Sequence, residues 1–173
     1  NLTIIIPSYK SKKLVLSHLN ELGKKYKIII IENSYDKSLK KIINQKYKKV
    51  DIYLKKNIGY GRAINFASKY VKTKYFFVMS PDTILYKKTL ENLIHTGNKI
   101  KTFGMIAPNH IENKKKNYKK ILIEKKQLNG TAMMFQTRVF RNINGFDENI
   151  FLYYEENDYF MKCNISKLKL FVV

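Results

Sequence analysis

Residues 75–85 read YFFVMSPDTIL, five apolar or aromatic side chains running without a break into Ser80, Pro81 and Asp82. An unbroken run of that length and type suits a strand covered on both faces, as in a parallel sheet. Aspartate and proline are ordinary turn formers, so the ending by itself is only a turn. Its meaning depends on what else reaches the same edge of the sheet.

The same pattern stands upstream. LTIII (2–6), KIIII (27–31) and VDIYL (50–54) read as buried strands, with helices expected over 12–23, 37–46 and 60–72. Strands alternating with helices through short connections imply right-handed crossovers and a parallel sheet. Downstream, a helix over 87–99 leads to a short strand at 103–107. Beyond Pro108, IENKKKNYKKILIEKKQ (111–127) is lysine-rich and reads as a protruding hairpin or loop. LNGTAMMFQ (128–136) returns to strand character and 137–142 reads as a short helix. The last third of 144–163 opens another helix, and KLKLFVV (167–173) reads as a strand. No repeat or flexible linker interrupts the pattern, so one α/β domain over 1–173 is expected.

Composition narrows the setting. The single cysteine, Cys163, excludes an internal disulfide and fits a reducing, cytosolic compartment. The apolar runs are far short of a membrane span, and the N-terminus already reads as a core strand rather than a secretory leader. The expectation is therefore a cytoplasmic chain, at most peripheral at the inner face of the cytoplasmic membrane. A net charge of +21 calls for anionic partners: nucleic acid, anionic lipid, or solvent ions alone. Lysine, isoleucine, asparagine and tyrosine are abundant together, as an AT-rich coding sequence produces, so charge alone does not choose among these. An anionic membrane surface is the first expectation.

Ligands of an open parallel sheet bind beyond the carboxyl ends of its strands. Pro7–Ser8–Tyr9, Glu32–Asn33–Ser34, the loop NIGYGRA (57–63) and Ser80–Pro81–Asp82 all fall on that rim. Glycines in the loop let a ligand approach the backbone, and the following helix N-terminus favours a phosphate. It is not the dinucleotide fingerprint, because Ile64 stands where the third glycine belongs. Taken alone, a glycine-rich turn before a helix is the favoured reading. Glu32 and Asn33 offer hydrogen bonds to a ribose or base, or form a strand end with an Asx turn. Asp82 is chemically adequate for a divalent metal bridging a diphosphate, since Mg²⁺ takes only one or two protein carboxylates.

FDENIFLYYEEND (146–158) holds five acids, Asp147, Glu148, Glu155, Glu156 and Asp158, in a chain with 13 acidic against 34 basic residues. Their interleaving with aromatics raises carboxylate pKa values and suits a general base. The competing reading is an acidic helix start stabilised by the helix dipole. His18, His95, His110 and Cys163 show no metal-ligand spacing, and no Ser–His–Asp arrangement stands out.

Together these segments resemble the family 2 glycosyltransferases of GT-A fold, in particular their rhamnosyltransferase-like branch. TIIIPSY (3–9), IIENSYD (30–36), NIGYGRAIN (57–65), FFVMSPDTIL (76–85) and GTAMMFQTRVFRNINGFDENIFLYYEENDYF (130–160) carry the resemblance, in order and spacing, over nearly the whole chain. It implies an α/β, Rossmann-like, mostly parallel sheet flanked by helices, with a smaller acceptor-side β element. The nucleotide-sugar-binding half would be 1–107. The acceptor and catalytic-base half would be 108–173, C-terminally truncated relative to the family.

By the same resemblance, Pro7, Tyr9, Glu32 and Asn33 line the nucleotide pocket, Glu32 standing where the family usually has aspartate. Asn57, Gly59 and Arg62 would hold the nucleotide sugar. Ser80 and Pro81 lead into Asp82, the metal-binding aspartate for Mg²⁺ or Mn²⁺. Glu156 would be the catalytic base, with Glu155 and Asp158 shaping its surroundings. Gly130, Thr131 and Asp147 would lie on the acceptor side.

The implied reaction is inverting, metal-dependent transfer from a nucleoside-diphosphate sugar, dTDP-rhamnose or a UDP-sugar, to a cell-surface polysaccharide or lipid-linked glycan. The alternative is a catalytically weak sugar-nucleotide or glycan-binding domain on the same fold. Ser80, where aspartate or asparagine is common, and the early end of the chain motivate it. Nucleic-acid binding rests on charge alone, and the acidic cluster counts against it. The lysine-rich 112–126 segment is expected either to dock on anionic membrane or to be a solvated loop.

Overall fold

The apolar runs at 2–6, 27–31, 50–54 and 75–79 become four hydrogen-bonded neighbours: β1 (Leu2–Ser8), β2 (Lys27–Glu32), β3 (Val50–Leu54) and β4 (Tyr75–Met79). In this computed structural model, which describes residues 1–109 and 122–173, β1 pairs in parallel with both β2 and β4. β2 pairs in parallel with β3. Between them run α1 (Lys12–Leu22), α2 (Lys37–Lys46) and α3 (Tyr60–Ser68). Every residue of β1 and β4 is buried, as strands covered on both faces require.

The second half completes the same sheet. α4 (Thr89–Lys99) leads to β5 (Met105–Ala107); then come β6 (Ile123–Lys125), β7 (Ala132–Gln136), α5 (Thr137–Asn142), α6 (Glu155–Ile165) and β8 (Leu170–Val172). The order is β3-β2-β1-β4-β7-β5-β8-β6. β7 lies antiparallel to β4, with Tyr75 opposite Gln136 and Met79 opposite Ala132. β5 and β8 pair in parallel, and β6 closes the edge antiparallel to β8. The fold is thus a mixed α/β sheet whose first half is a parallel, Rossmann-like unit.

Alternate residues of each strand build two cores. Ile4, Ile6, Ile28, Ile30 and Phe77 meet Val15, Leu19, Leu39 and Ile43 of α1 and α2 on one face. On the other, Ile5, Ile29, Phe76 and Val78 meet Ala63, Ile64 and Ala67 of α3 and the rings of Phe135, Phe140, Phe146 and Tyr159. Tyr159 of α6 packs edge-on to Phe135 at 5.2 Å between centroids, and its hydroxyl donates to the Gly104 carbonyl at 3.1 Å. Burying an aromatic of this kind contributes about 1.5–3 kcal/mol. That contact seats α6, and with it the acids at its N-terminus.

Element bounds depart from expectation at a few ends. α3 stops at Ser68 rather than 72, because the Arg141 guanidinium from α5 takes the carbonyls of Ser68 and Val71. α4 begins at Thr89, after Lys88 in a left-handed conformation. β5 is shorter than 103–107. β7 starts only at Ala132, since the backbone N–H and hydroxyl of Thr131 turn back to the Asn129 side-chain oxygen. Of the lysine-rich segment expected to protrude, 111–121 lie outside the described residues, as does His110, and 123–125 form β6. No described helix is long and apolar enough to cross a membrane.

Candidate functional site

The carboxyl ends of β1 and β2 are fastened by a buried carboxylate. Ser8 Oγ donates to Glu32 Oε2 at 2.7 Å, while the backbone N–H of Ser34 donates to Oε1 at 2.8 Å and the Ser34 hydroxyl to the same oxygen. Glu32 is only 1% exposed, and such a group is tolerable when its acceptor sites are filled. Its carboxylate holds the rim in shape instead of projecting from it. Asn33 is buried beside it, its amide nitrogen donating to the Gly59 carbonyl at 3.3 Å. Its Oδ1 is buried with no hydrogen-bond partner among the described residues. Tyr9 stands exposed at the mouth, and Pro7 is buried within β1.

The glycine loop is shaped by the acidic block, not by α3 alone. Gly59 adopts φ 87° and ψ 172°, a region essentially restricted to glycine, and a Cβ there would come within 2.2 Å of the Phe151 carbonyl oxygen. Asn57 Oδ1 accepts from the Gly59 N–H at 3.2 Å, and the Tyr60 N–H donates to the Phe151 carbonyl at 3.2 Å. Asn65 clamps the same block: its Nδ2 donates to the Phe146 carbonyl at 2.9 Å and its Oδ1 accepts from the Phe146 N–H at 3.0 Å. Arg62, expected at the nucleotide sugar, donates instead to the Glu148 carbonyl.

At the end of β4, the Ser80 N–H donates to the Thr131 carbonyl at 3.0 Å, and His18 Nε2 lies 2.8 Å from the Pro81 carbonyl oxygen. Asp82, one residue on, is exposed on the rim. His18 thus braces the turn that carries Asp82.

Glu155 opens α6 and is 6% exposed, with Oε2 buried and no hydrogen-bond partner among the described residues. Burial pushes its carboxyl up, the neighbouring charge of Glu156 adds to this, and a backbone hydrogen bond partly offsets it. Glu156 is half-buried and rests against Gly130, where a Cβ would meet its Cδ at 3.3 Å. Asp158 pairs with Lys162 at 2.9 Å one turn on. Asp147 forms an Asx turn, accepting from the Asn149 N–H at 2.9 Å. Tyr153 and Tyr154, 70% and 72% exposed, precede the pair with φ of 66° and 68°. Two successive non-glycine residues in that region store backbone strain.

Tyr60 joins the two edges. Its hydroxyl donates to the Gly130 carbonyl at 3.3 Å. Burial pushes the phenol well above its ordinary value, and Glu155, Glu156 and Asp82 all lie near enough to push it further. The Gly130–Thr131 segment therefore links the two edges: its Thr131 carbonyl accepts from the Ser80 N–H and the Thr83 hydroxyl on either side of Asp82, and Gly130 lies against Tyr60 and Glu156. Tyr60 sits inside the NIGYGR segment, but no pattern in the sequence marked its hydroxyl.

No group of three or more His, Cys, Asp or Glu side chains suited to a metal occurs among the described residues. One exposed carboxylate at a strand end fits Mg²⁺ or Mn²⁺ held jointly with a diphosphate, because such ions draw most of their shell from water and phosphate oxygens.

Comparison with known proteins agrees with this fold. The sequence profile of Glycosyl transferase family 2 matches residues 3–165. The structure is similar to the crystal structure of S. aureus TarS 1–349, with a TM-score of 0.76 and 16% identity, covering 100% of this chain and 58% of that one. TarS 1–349 has also been crystallised with UDP and with UDP-GlcNAc. The mannosyltransferase PcManGT of Pyrobaculum calidifontis, in complex with GDP-Man and Mn²⁺, is similar at a TM-score of 0.75 and 11% identity, covering 99% of this chain and 56% of that one. The chain thus spans little more than half the length of these proteins. No curated protein matches it by sequence. With a family profile running from the first strand to the end of α6, and a fold shared with these transferases, the chain belongs to glycosyl transferase family 2.

Proposed function

We propose that this chain is an inverting glycosyltransferase that moves a sugar from a nucleoside-diphosphate donor to a glycan or lipid-linked acceptor. The observation that carries the reading is that the Gly130–Thr131 segment touches both edges of the site, binding Ser80 and Thr83 on either side of Asp82 through the Thr131 carbonyl and lying against Tyr60 and Glu156 at Gly130. The nucleotide ligands of the structural neighbours support a nucleoside-diphosphate donor. In this reading residues 1–107 bind the donor and 108–173 supply the acceptor side and the base. Rhamnose as the sugar rests on the sequence resemblance alone.

A sugar hydroxyl is a weak nucleophile, so a carboxylate must take its proton as it attacks. Glu156 is the base: the acceptor oxygen bonds to the anomeric carbon, the bond from that carbon to the diphosphate breaks, and the proton passes to Glu156. One displacement inverts the anomeric centre. Asp82 would hold Mg²⁺ or Mn²⁺, which when bound offsets charge on the departing diphosphate. Glu32 and Asn33 fix the nucleotide end of the rim, and Asn57 and Gly59 set the loop beneath the sugar. Gly130, by lacking a side chain, leaves room for Glu156. Tyr153 and Tyr154 offer exposed rings to the acceptor.

A second reading, a sugar-nucleotide-binding domain with little turnover, is favoured by Ser80. Ser80 supplies a neutral hydroxyl where a carboxylate or amide is common, which leaves Asp82 as the one charged group at that turn. A panel of nucleotide sugars separates the two. Donor with Mn²⁺ should raise the melting temperature and be turned over, and Asp82→Ala should abolish both effects. Glu156→Gln should keep the stabilisation and lose the turnover. Stabilisation without turnover in the unmodified chain supports the binding domain, and no stabilisation by any donor overturns both readings.

A further inference from the structure

The outer face of α6, its C-terminal end and the sheet edge beside it form a surface that the transferase chemistry does not use. Glu156 leaves from the first turn of this helix, while Met161 and Ile165, one turn apart on its outer side, are 66% and 81% exposed. A groove of about 640 Å³ runs alongside, floored by Phe160, Leu168 and Leu170 and flanked by β6. Lys125, Lys126 and Lys167 stand exposed along it.

Lysine is abundant throughout this chain, so lysines alone would single out no face. Here three of them line one groove with the exposed Met161, and Ile165 stands exposed one helical turn beyond it. The acids nearby are already neutralised: Glu124 pairs with Lys169 at 2.7 Å and Asp158 with Lys162 at 2.9 Å. The face therefore presents uncompensated positive charge around an apolar centre. Soluble surfaces scatter single apolar residues, but exposed aliphatics on one helical stripe beside a lysine-lined groove match an interface that is anionic outside and hydrocarbon beneath.

We infer that the outer face of α6, with β6 beside it, is a docking surface for an anionic lipid bilayer. Met161 and Ile165 enter the headgroup boundary, and Lys125, Lys126 and Lys167 meet the lipid phosphates. From Glu156 to Ile165 is nine residues of helix, about 14 Å at the usual rise. Docking here holds the base within that distance of the bilayer, within reach of an acceptor whose lipid stays in the membrane. The identity of that acceptor rests on the transferase reading; the docking itself does not.

The test is co-sedimentation of the purified chain with phosphatidylcholine vesicles, with and without phosphatidylglycerol, at physiological salt. Two variants are compared, Met161→Ser with Ile165→Ser, and Lys125→Glu with Lys126→Glu and Lys167→Glu. All five positions are exposed, so folding should be kept, and thermal unfolding of each variant checks this. The unmodified chain should bind the anionic vesicles, and each variant should bind about tenfold more weakly or worse. Absence of binding, equal binding to neutral vesicles, or full binding by both variants would overturn the inference. If the serine variant instead turns a dimer into a monomer and the parent ignores vesicles, the face joins two copies and the membrane assignment falls. Donor stabilisation measured on the same samples reports separately on the transferase reading.

Discussion

The phenol of Tyr60 donates to the carbonyl of Gly130 at 3.3 Å, joining the glycine loop after β3 to the segment that faces Glu156. Neither residue is an acid, a base or a metal ligand. Between them they tie the glycine loop after β3 to the surroundings of Glu156.

Tyr60→Phe should therefore keep the fold and weaken the geometry. Losing one hydrogen bond costs about 1 kcal/mol, roughly a fivefold loss if it is felt in the transition state. Turnover should fall by that factor while donor stabilisation in a thermal melt stays nearly unchanged. Equal loss of donor binding and turnover would place the hydroxyl in the donor pocket instead.

Two glycines should fail in different ways. Gly59→Ala puts a Cβ 2.2 Å from the Phe151 carbonyl oxygen at a φ of 87°, so a loss of about 3 kcal/mol or more is expected on chemical denaturation. Gly130→Ala meets only the end of a flexible side chain, Glu156, at 3.3–3.5 Å. Its melting temperature should hold while turnover drops, since displacing a base by about an ångström can cost on the order of a hundredfold.

Glu155 should show itself in the pH dependence of stability. Burial raises the Glu155 carboxyl, so the folded state holds its proton more tightly than the unfolded chain does. As pH rises from the unfolded value through the folded one, that group's contribution to stability is lost. Glu155→Gln mimics the protonated form, so it should remove this decline and leave the protein at least as stable at neutral pH. Denaturation midpoints across the acidic to neutral range measure it, and a steeper decline in the variant would contradict the assignment.

Asp36 has the opposite sign. It caps α2, accepting from the N–H groups of Ser38 and Leu39, and the Ser38 hydroxyl, then the Leu39 N–H, hold its carboxyl below the usual range. Its contribution is present above the unfolded value and lost as pH falls through the folded one. Asp36→Ala should cost about 1 kcal/mol at neutral pH and less in acid, read from urea midpoints.

The alternation of buried runs with helical segments made the parallel half legible, because a strand covered on both faces must be predominantly apolar, and in YFFVM the one polar group, the Tyr75 hydroxyl, is hydrogen-bonded to Asn98. The rim was legible for the same reason: polar side chains that end such runs must collect at one edge. Helix ends were less so. Nothing within 60–72 shows that Arg141 would take the carbonyls of Ser68 and Val71 and stop α3 there. The roles of Glu32, Arg62 and His18 were equally out of reach. Each is decided by a partner distant in the chain, respectively Ser8, Glu148 and Pro81.

Local sequence thus determined the strands, the helices and the order in which polar ends reach the rim, since these follow from hydrophobic period and turn chemistry within a few residues. Only the tertiary structure decided which acids face each other. The Phe135, Phe140, Phe146 and Tyr159 rings seat α6 against the sheet, and the Phe151 carbonyl closes on Gly59. The Gly59–Phe151 contact alone joins residues 92 positions apart, and packing, not local preference, brings the ends of β4 and α6 to the Gly130–Thr131 segment.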